Sequence, residues 1–309
     1  MRRKRVIIVL AVCVLVGIGV VAFWPGEKEP EYNGKKLSEW LDGYQTGVAM
    51  ESPTQEREAI KAIRTIGTNA LPCLLNWVRR RDVPTWQVRA AEQCHRLGLD
   101  WLQRFVWSRK RQTKYAWAAL RILGSNARGA IPEVTRIAVE SQSSDVVLTA
   151  LEFLSANGPD AVPALLKVID RGKGERRGWS MHFIREMPNL GTNGPAVVAT
   201  LLKCLQEQDE DAAASAALAL GEVGLQTKEV VPALAAQLQD NRRMVRYSAT
   251  RALGSLANDR SAIAELRKAV PELVNAQNDH DPMVREYATN ALRKVAPEVL
   301  TNGITEVSH

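Results

Sequence analysis

Two stretches decide the fold: DNRRMVRYSATRALGSLA, Asp240 to Ala257, and DHDPMVREYATNALRKVA, Asp279 to Ala296. They share Asp, Met-Val-Arg, Ala-Thr, Ala-Leu and a final Ala at matching offsets, 39 residues apart. Helical spacing puts Ala249, Ala252 and Leu253 on one side of the first, and Ala288, Ala291 and Leu292 on the same side of the second. A helix pair of this kind cannot bury its apolar stripe alone. Stacked pairs bury it against their neighbours and so build a continuous core and a long surface.

Working outward, an apolar residue followed by Pro and spaced apolar residues recurs: NALPCLL (Pro72), GAIPEV (Pro132), DAVPALL (Pro163), EVVPAL (Pro232) and KAVPEL (Pro271). Pro is tolerated in a first helical turn, where its missing N–H has no intrahelical partner. GPAVVATLLKCL fills one slot with Ala199 in the Pro position, and a degenerate unit is expected near GLDWLQRFV. The mean period is then about 33 residues, in the range that marks solenoids. Between these segments run Ala- and Leu-rich helices such as EAIKAIRTIG, KYAWAALRILG and AASAALALGEVG, often closed by Gly. Ser52-Pro53-Thr54-Gln55 reads as a capping box, and Asp281-Pro282 opens its helix similarly.

The pattern APALLxxL…D…VRxxAxxALGxxG is carried by Pro163, Leu165, Leu166, Pro232, Leu234, Asp240, Val245, Arg246, Ala249, Leu253, Val284, Arg285 and Ala288. It resembles HEAT-like repeats of the bacterial kind, including those related to phycobilisome-lyase repeats. The opening YNGKKLSEWLDGY (Tyr32 to Tyr44) resembles the lead-in of membrane-anchored HEAT-repeat proteins of planctomycete- and verrucomicrobium-like bacteria. The resemblance implies an all-α, right-handed α-solenoid of about seven to eight HEAT-like helix pairs, working as an interaction scaffold. It also implies that Asp240, Arg246 and Arg285 bond between repeats, and it carries over no catalytic residue. Pro163, Pro232 and Pro271 are the other expected frame residues.

The N-terminus adds a second element. Four basic residues at 2–5 precede an uncharged apolar run of 19 residues, Val6 to Trp24, long enough as a helix to cross a ~30 Å hydrocarbon core. Glu27, Glu29 and Glu31 follow. That asymmetry predicts a cytoplasmic N-terminus and an exported, periplasmic or otherwise extracytoplasmic bulk. The alternative is a signal peptide cleaved after Val20-Val21-Ala22, which would make the protein secreted; the length of the run and the Phe-Trp-Pro that follows favour an uncleaved anchor. Leu10-Ala11-Val12-Cys13 lies too early in the run for a lipoprotein site. The expected organisation is 1–5 basic segment, 6–24 transmembrane anchor, 25–36 linker, 37–300 solenoid and 301–309 flexible tail.

The net charge of +7 is a local matter. Arg79 to Arg121 holds eleven basic and three acidic residues. Within it, WLQRFVWSRKRQTKYAW (Trp101 to Trp117) interleaves aromatics with Arg104, Arg109, Lys110, Arg111 and Lys114, a composition suited to phosphate contact and base stacking. The preferred reading is that the aromatics fill the core of a degenerate repeat and SRKRQTK is a solvated turn. An anionic-ligand or nucleic-acid binder using 79–121 is the alternative, and export argues against DNA. RGKGERRGWSMHF (Arg171 to Phe183) lengthens its unit and reads as a long basic turn, with a loop that binds a partner as the sharper alternative.

Cys73 and Cys94 are centred on the expected inter-helix turn near Val83, so they stand at one height on paired helices; a disulfide is one outcome, two buried thiols the favoured one. The chain contains no Cys-x-x-Cys, His-Glu-x-x-His or Gly-x-Ser-x-Gly motif, and Gly17-Ile18-Gly19 lies inside the apolar run. No catalytic, cofactor-binding or metal-ligating residue is therefore assigned. A HEAT-type lyase or glycosylase is the weakest alternative. The expected partner is another protein, with the membrane engaged only through the N-terminal helix, and neither nucleic acid nor a small molecule is expected. Trp86 and Trp179 are the candidate aromatic anchors, with Arg109, Lys110 and Arg111 for charge steering.

Overall fold

The computed structural model describes residues 28–79 and 100–300, with the side chains of 100–110 outside the description. The expected anchor at 6–24, the tail 301–309, Trp86 and Cys94 lie outside the described residues. The chain divides into two compact units, residues 1–116 and 117–309.

The first unit opens on a small hairpin where a linker was expected. Strand β1 (Glu31–Tyr32) pairs antiparallel with β2 (Lys35–Lys36). Asn33 and Gly34 between them both take left-handed backbone, φ 49° and 73°, as the favoured two-residue hairpin turn requires. Helix α1 (Leu37–Ala49) follows at once, and Trp40 Nε1 donates to the Tyr32 carbonyl at 3.1 Å. Residues 29–36 are therefore folded onto α1: Ser38 N also donates to Glu29 Oε2 at 3.0 Å.

Helix α2 (Pro53–Ile66) packs on α1. Their approach depends on Gly47, where a Cβ would lie 2.8 Å from the Glu56 amide nitrogen. Ser52 stands at the N-cap with Pro53 first in the helix, but the capping box does not form; Glu56 N bonds instead to the Ser52 carbonyl at 3.2 Å. Helix α3 (Leu71–Arg79) carries buried Cys73, Leu74 and Trp77. Helix α4 (Asp100–Leu123) is continuous through Ser108–Lys114, so the expected turn there does not exist. That segment is polar but contains neither Gly nor Pro, and a polar run without a breaker serves equally as a helix surface.

The second unit is two layers of helices. The A layer holds α5 (Ile131–Glu140), α7 (Val162–Arg171), α9 (Gly194–Leu205), α11 (Thr227–Ala236) and α14 (Val270–Ala276). The B layer holds α6 (Ser144–Ala156), α8 (Glu175–Arg185), α10 (Glu210–Val223), α12 (Arg243–Leu256) and α15 (Pro282–Val295). A one-turn helix α13 (Ile263–Leu266) fills the connection from α12 to α14. Each helix packs against its pair-mate and against the neighbours in its own layer, which is the solenoid arrangement.

Pro163 and Pro271 fall in the first turn of α7 and α14, as expected. Pro232 does not: it is the sixth residue of α11, because Thr227–Val231 already extend the helix. The register before it also shifts. Pro195, not Ala199, is the second residue of α9, so the unit starting at Pro163 is within one residue of the preceding unit's length. RGKGERRGWSMHF is correspondingly no long loop. Gly172 and Gly174 make a short turn, and α8 begins at Glu175.

Small residues set the layer spacing. In α10, Ala213, Ala216, Ala217 and Gly221 are buried, and a Cβ on Gly221 would lie 2.5 Å from Ala252 Cα in α12. Two helices cannot come closer than this with side chains between them.

Candidate interaction face

The N-terminal ends of the B helices are held by an arginine–acid ladder. Arg246 of α12 donates through Nε and Nη2 to Asp279, at 2.7 and 3.2 Å, in the turn of the next pair. Its Nη1 binds the Asp240 and Asn241 carbonyls of its own turn, at 3.0 and 3.2 Å. Two rungs earlier Arg177 of α8 repeats the logic: it grips Glu207 of the next turn bidentately at 2.7 and 2.8 Å and its own Ile169 carbonyl at 2.8 Å. Where α10 has Ala213 in place of the arginine, Arg242 takes over, pairing with Asp240 and reaching back to the Glu207 carbonyl at 2.7 Å. Arg243 pairs with Asp281, whose other oxygen caps α15 through Met283 N at 2.8 Å.

Asp240, Arg246 and Arg285 are thus structural, but their pairing differs from the expectation. Asp240 is bound by Arg242, and the side-chain partner of Arg246 is Asp279. Arg285 makes no link to a further repeat among the described residues; its Nη1 binds the Asp279 and His280 carbonyls of its own turn. Charge-assisted hydrogen bonds favour the ionised carboxylate. Arg177 accordingly holds Glu207 below its ordinary pKa, Arg242 does so for Asp240, Arg246 for Asp279 and Arg243 for Asp281. Burial pushes the Cys204 thiol up, and Arg177 Nη2, 3.3 Å from its sulfur, partly opposes this.

With their ends fixed, the B helices present a row of side chains that the core does not absorb. Trp179 of α8 is half-buried and lines two clefts, one of about 340 Å³ toward α10 and one of about 240 Å³ toward α6. In α12 and α15, Met244 and Met283 are 45% and 38% exposed at equivalent positions. Tyr247 and Tyr287, half-buried, meet edge to face with centroids 5.4 Å apart. Aromatic and methionine side chains on a rigid surface are the residue types that carry binding energy at protein interfaces.

Of the sequence candidates, Trp179 therefore stands on this face, on a helix and not in a loop. Trp86 lies outside the described residues. Arg109, Lys110 and Arg111 belong to α4, and Arg111 is exposed on it, with Lys114. Where the side chains of the basic-aromatic stretch are described, Tyr115 is buried and Trp117 half-buried, and the expected solvated turn is helix; burial, and next the bond of the Tyr115 hydroxyl to Asp42, push its pKa up to about 12. Cys73 is buried, and its expected partner Cys94 is outside the described residues. The sequence reading passed over Met244, Met283, Tyr247 and Tyr287 as sites, although Met-Val-Arg recurs at matching offsets. Among the described residues no group of His, Cys, Asp and Glu is placed to hold a metal ion. Among them no helix is long and apolar enough to cross a membrane.

Residues 198–269 match the family of HEAT repeats. No curated protein matches the chain. Among solved structures, the chain is similar to a designed armadillo repeat protein in complex with the peptide (KR)4, with 17% identity over 72% of this chain and 99% of that one and a TM-score of 0.44. It is similar to an engineered protein at 18% identity over 85% of this chain and 68% of that one, TM-score 0.39. A second designed armadillo repeat protein gives 16% identity over 84% and 100% of the two chains, TM-score 0.32. The match runs from within α9 through α10, α11 and α12 to α13, so this segment of the stack is similar to HEAT repeats.

Proposed function

We propose that the chain is a membrane-tethered scaffold that binds another protein through its B-layer face, outside the cytoplasm and without catalysis of its own. The observation that carries this reading is the row of Trp179, Met244, Tyr247, Met283 and Tyr287 on helices whose ends the arginine–acid ladder locks. A rigid surface gives affinity without an ordering cost, and a few aromatic anchors supply most of it. The tether at 6–24 rests on the apolar run and the flanking charges. The membrane-anchored bacterial HEAT proteins that the lead-in resembles agree with it.

Photo-crosslinking from Trp179 and Tyr247 in native membranes, followed by proteomics with a nuclease-treated control, tests the scaffold. A reproducible exported or membrane protein, captured from the B-layer positions but not from A-layer positions such as Pro271, is the expected result. Capture that depends on nucleic acid would instead favour the alternative, which the exposure of Arg111 and Lys114 on one helix supports. Reporter fusions at residues 3 and 300 test the topology, with export expected only at the second.

A further inference from the structure

The cleft between α8 and α10 has a chemistry that the scaffold reading leaves unstated. It is lined by Trp179 together with Glu175, Arg177, Asp209, Asp211 and Ser215. Gly178 opens it: a Cβ there would lie 3.3 Å from Ser215 Oγ, so the missing side chain at 178 makes room for the Ser215 side chain of α10. The two arginines beside the indole on the same helix are committed elsewhere. Arg177 is held by Glu207 and the Ile169 carbonyl. Arg176 turns away to the carbonyls ending α5, reaching Ser141 O at 2.9 Å.

The carboxylates are not committed in the same way. The side-chain carboxylates of Glu175 and Asp211 take part in no hydrogen bond or ion pair among the described residues, and Asp209 spends one oxygen, Oδ1, on the amides of Asp211 and Ala212 at the start of α10. The cleft, at about 340 Å³, thus combines an aromatic wall with two carboxylates, Glu175 and Asp211, that no cation pairs among the described residues. An aromatic face and nearby carboxylates both attract a cation, and the guanidinium of arginine suits the pair best, stacking on the ring while donating to the acids.

We propose that this cleft receives an arginine side chain from an extended segment of the partner protein, with Trp179 as the stacking wall and Glu175 and Asp211 as the charge partners. The proposal rests on the scaffold reading and gives that face its specificity. The cleft on the other side of Trp179 shares Glu175 but adds Lys173 and Arg176, so its two cations disfavour a second one there and orient the segment across the indole.

The test uses the full-length chain in detergent and fluorescein-labelled decapeptides of Gly and Ser carrying two arginines, read by anisotropy at low and physiological salt. Saturable binding is expected, weakened at least tenfold when citrulline, neutral and nearly isosteric, replaces arginine. Trp179→Ala should weaken it at least tenfold, and Glu175→Gln with Asp211→Asn about as much, while Trp179→Phe keeps most of it and Lys228→Ala, exposed on α11, leaves it unchanged. Circular dichroism checks that each variant folds. Equal binding of arginine and citrulline peptides, or full binding by the folded Trp179→Ala or Glu175→Gln/Asp211→Asn variant, overturns the proposal. A photo-crosslinked partner at Trp179 combined with no arginine preference would sink the proposal while leaving the scaffold standing. Loss of both would sink the scaffold as well.

Discussion

Arg246→Ala is the sharpest probe of how the repeats hold together. The wild-type side chain makes two bonds to Asp279 and two to carbonyls of its own turn, and the ion pair is 17% and 9% exposed at its two ends. Truncation leaves Asp279, almost wholly enclosed, with only the Asp281 amide as donor. Removing one partner of a largely buried, hydrogen-bonded pair costs about 2–4 kcal/mol. In a unit of this size that corresponds to a fall in Tm of about 5–15 °C.

The loss should be concentrated where the link acts. Hydrogen exchange on the full chain is expected to accelerate in α14 and α15 well before α7 and α8, because a repeat stack is held by nearest-neighbour terms. The pH dependence follows from the direction of the Asp279 shift. Its pKa is lowered in the fold, chiefly by the hydrogen bond from Arg246, so the stabilisation is present above the unfolded carboxylate value of about 4 and disappears as pH falls through the folded value. The gap between wild type and Arg246→Ala should therefore close on acidification. Arg246→Ala with Asp279→Asn should recover part of the loss, since no buried charge is then stranded. A change below about 0.5 kcal/mol at pH 7, or a gap that does not narrow in acid, would refute this account of the ladder.

Other expectations are shorter. Gly221→Ala should destabilise by about 1–3 kcal/mol in urea titration although Ala is the better helix former, because its Cβ has no room against Ala252; a stabilised variant would mean the approach is looser than described. Pro232→Ala should stabilise α11 by about 1 kcal/mol or more by restoring a donor to the helix interior, whereas Pro271→Ala, in a first turn, should be neutral or slightly destabilising; equal effects would contradict the corrected register. Tyr115 keeps its proton to about pH 12 in the fold against about 10 unfolded, so wild type should lose stability as pH rises through that window, and Tyr115→Phe should lose none there, as alkaline denaturation curves would record.

The repeat frame was legible because each unit carries its own punctuation. Pro163 and Pro271 fall where a missing N–H does no harm, and Asp281 caps its helix as its place before Pro282 suggests. The errors arose where one signal had two physical outcomes. The polar Ser108–Lys114 run reads as a turn but lies within a continuous helix. Gly178 looks like part of a flexible stretch, yet it is a helical residue that makes room for α10. Pro232 marked the wrong place because the residues before it were able to start the helix early. The ladder partners were hidden for a different reason. Arg246 and Asp279 stand 33 residues apart and belong to different units, so their pairing depends on how the units stack, which no local pattern records. The cleft at Trp179 likewise assembles Glu175 with Asp211 from two helices.

The direction of the ladder bears on how such a chain can change over generations. Arg177 and Arg246 each reach forward to an acid in the following turn, while that acid belongs to the unit that receives it. A module copied whole in register would bring a donor for its successor and an acceptor for its predecessor, so gaining or losing one entire module strands no charge. A deletion that cuts within a module separates the two halves and leaves a carboxylate or a guanidinium without its mate. Gain or loss of whole modules is thus the change that the pairing of Arg246 with Asp279 tolerates best, and the nine identities over eighteen positions between Asp240–Ala257 and Asp279–Ala296 are consistent with it.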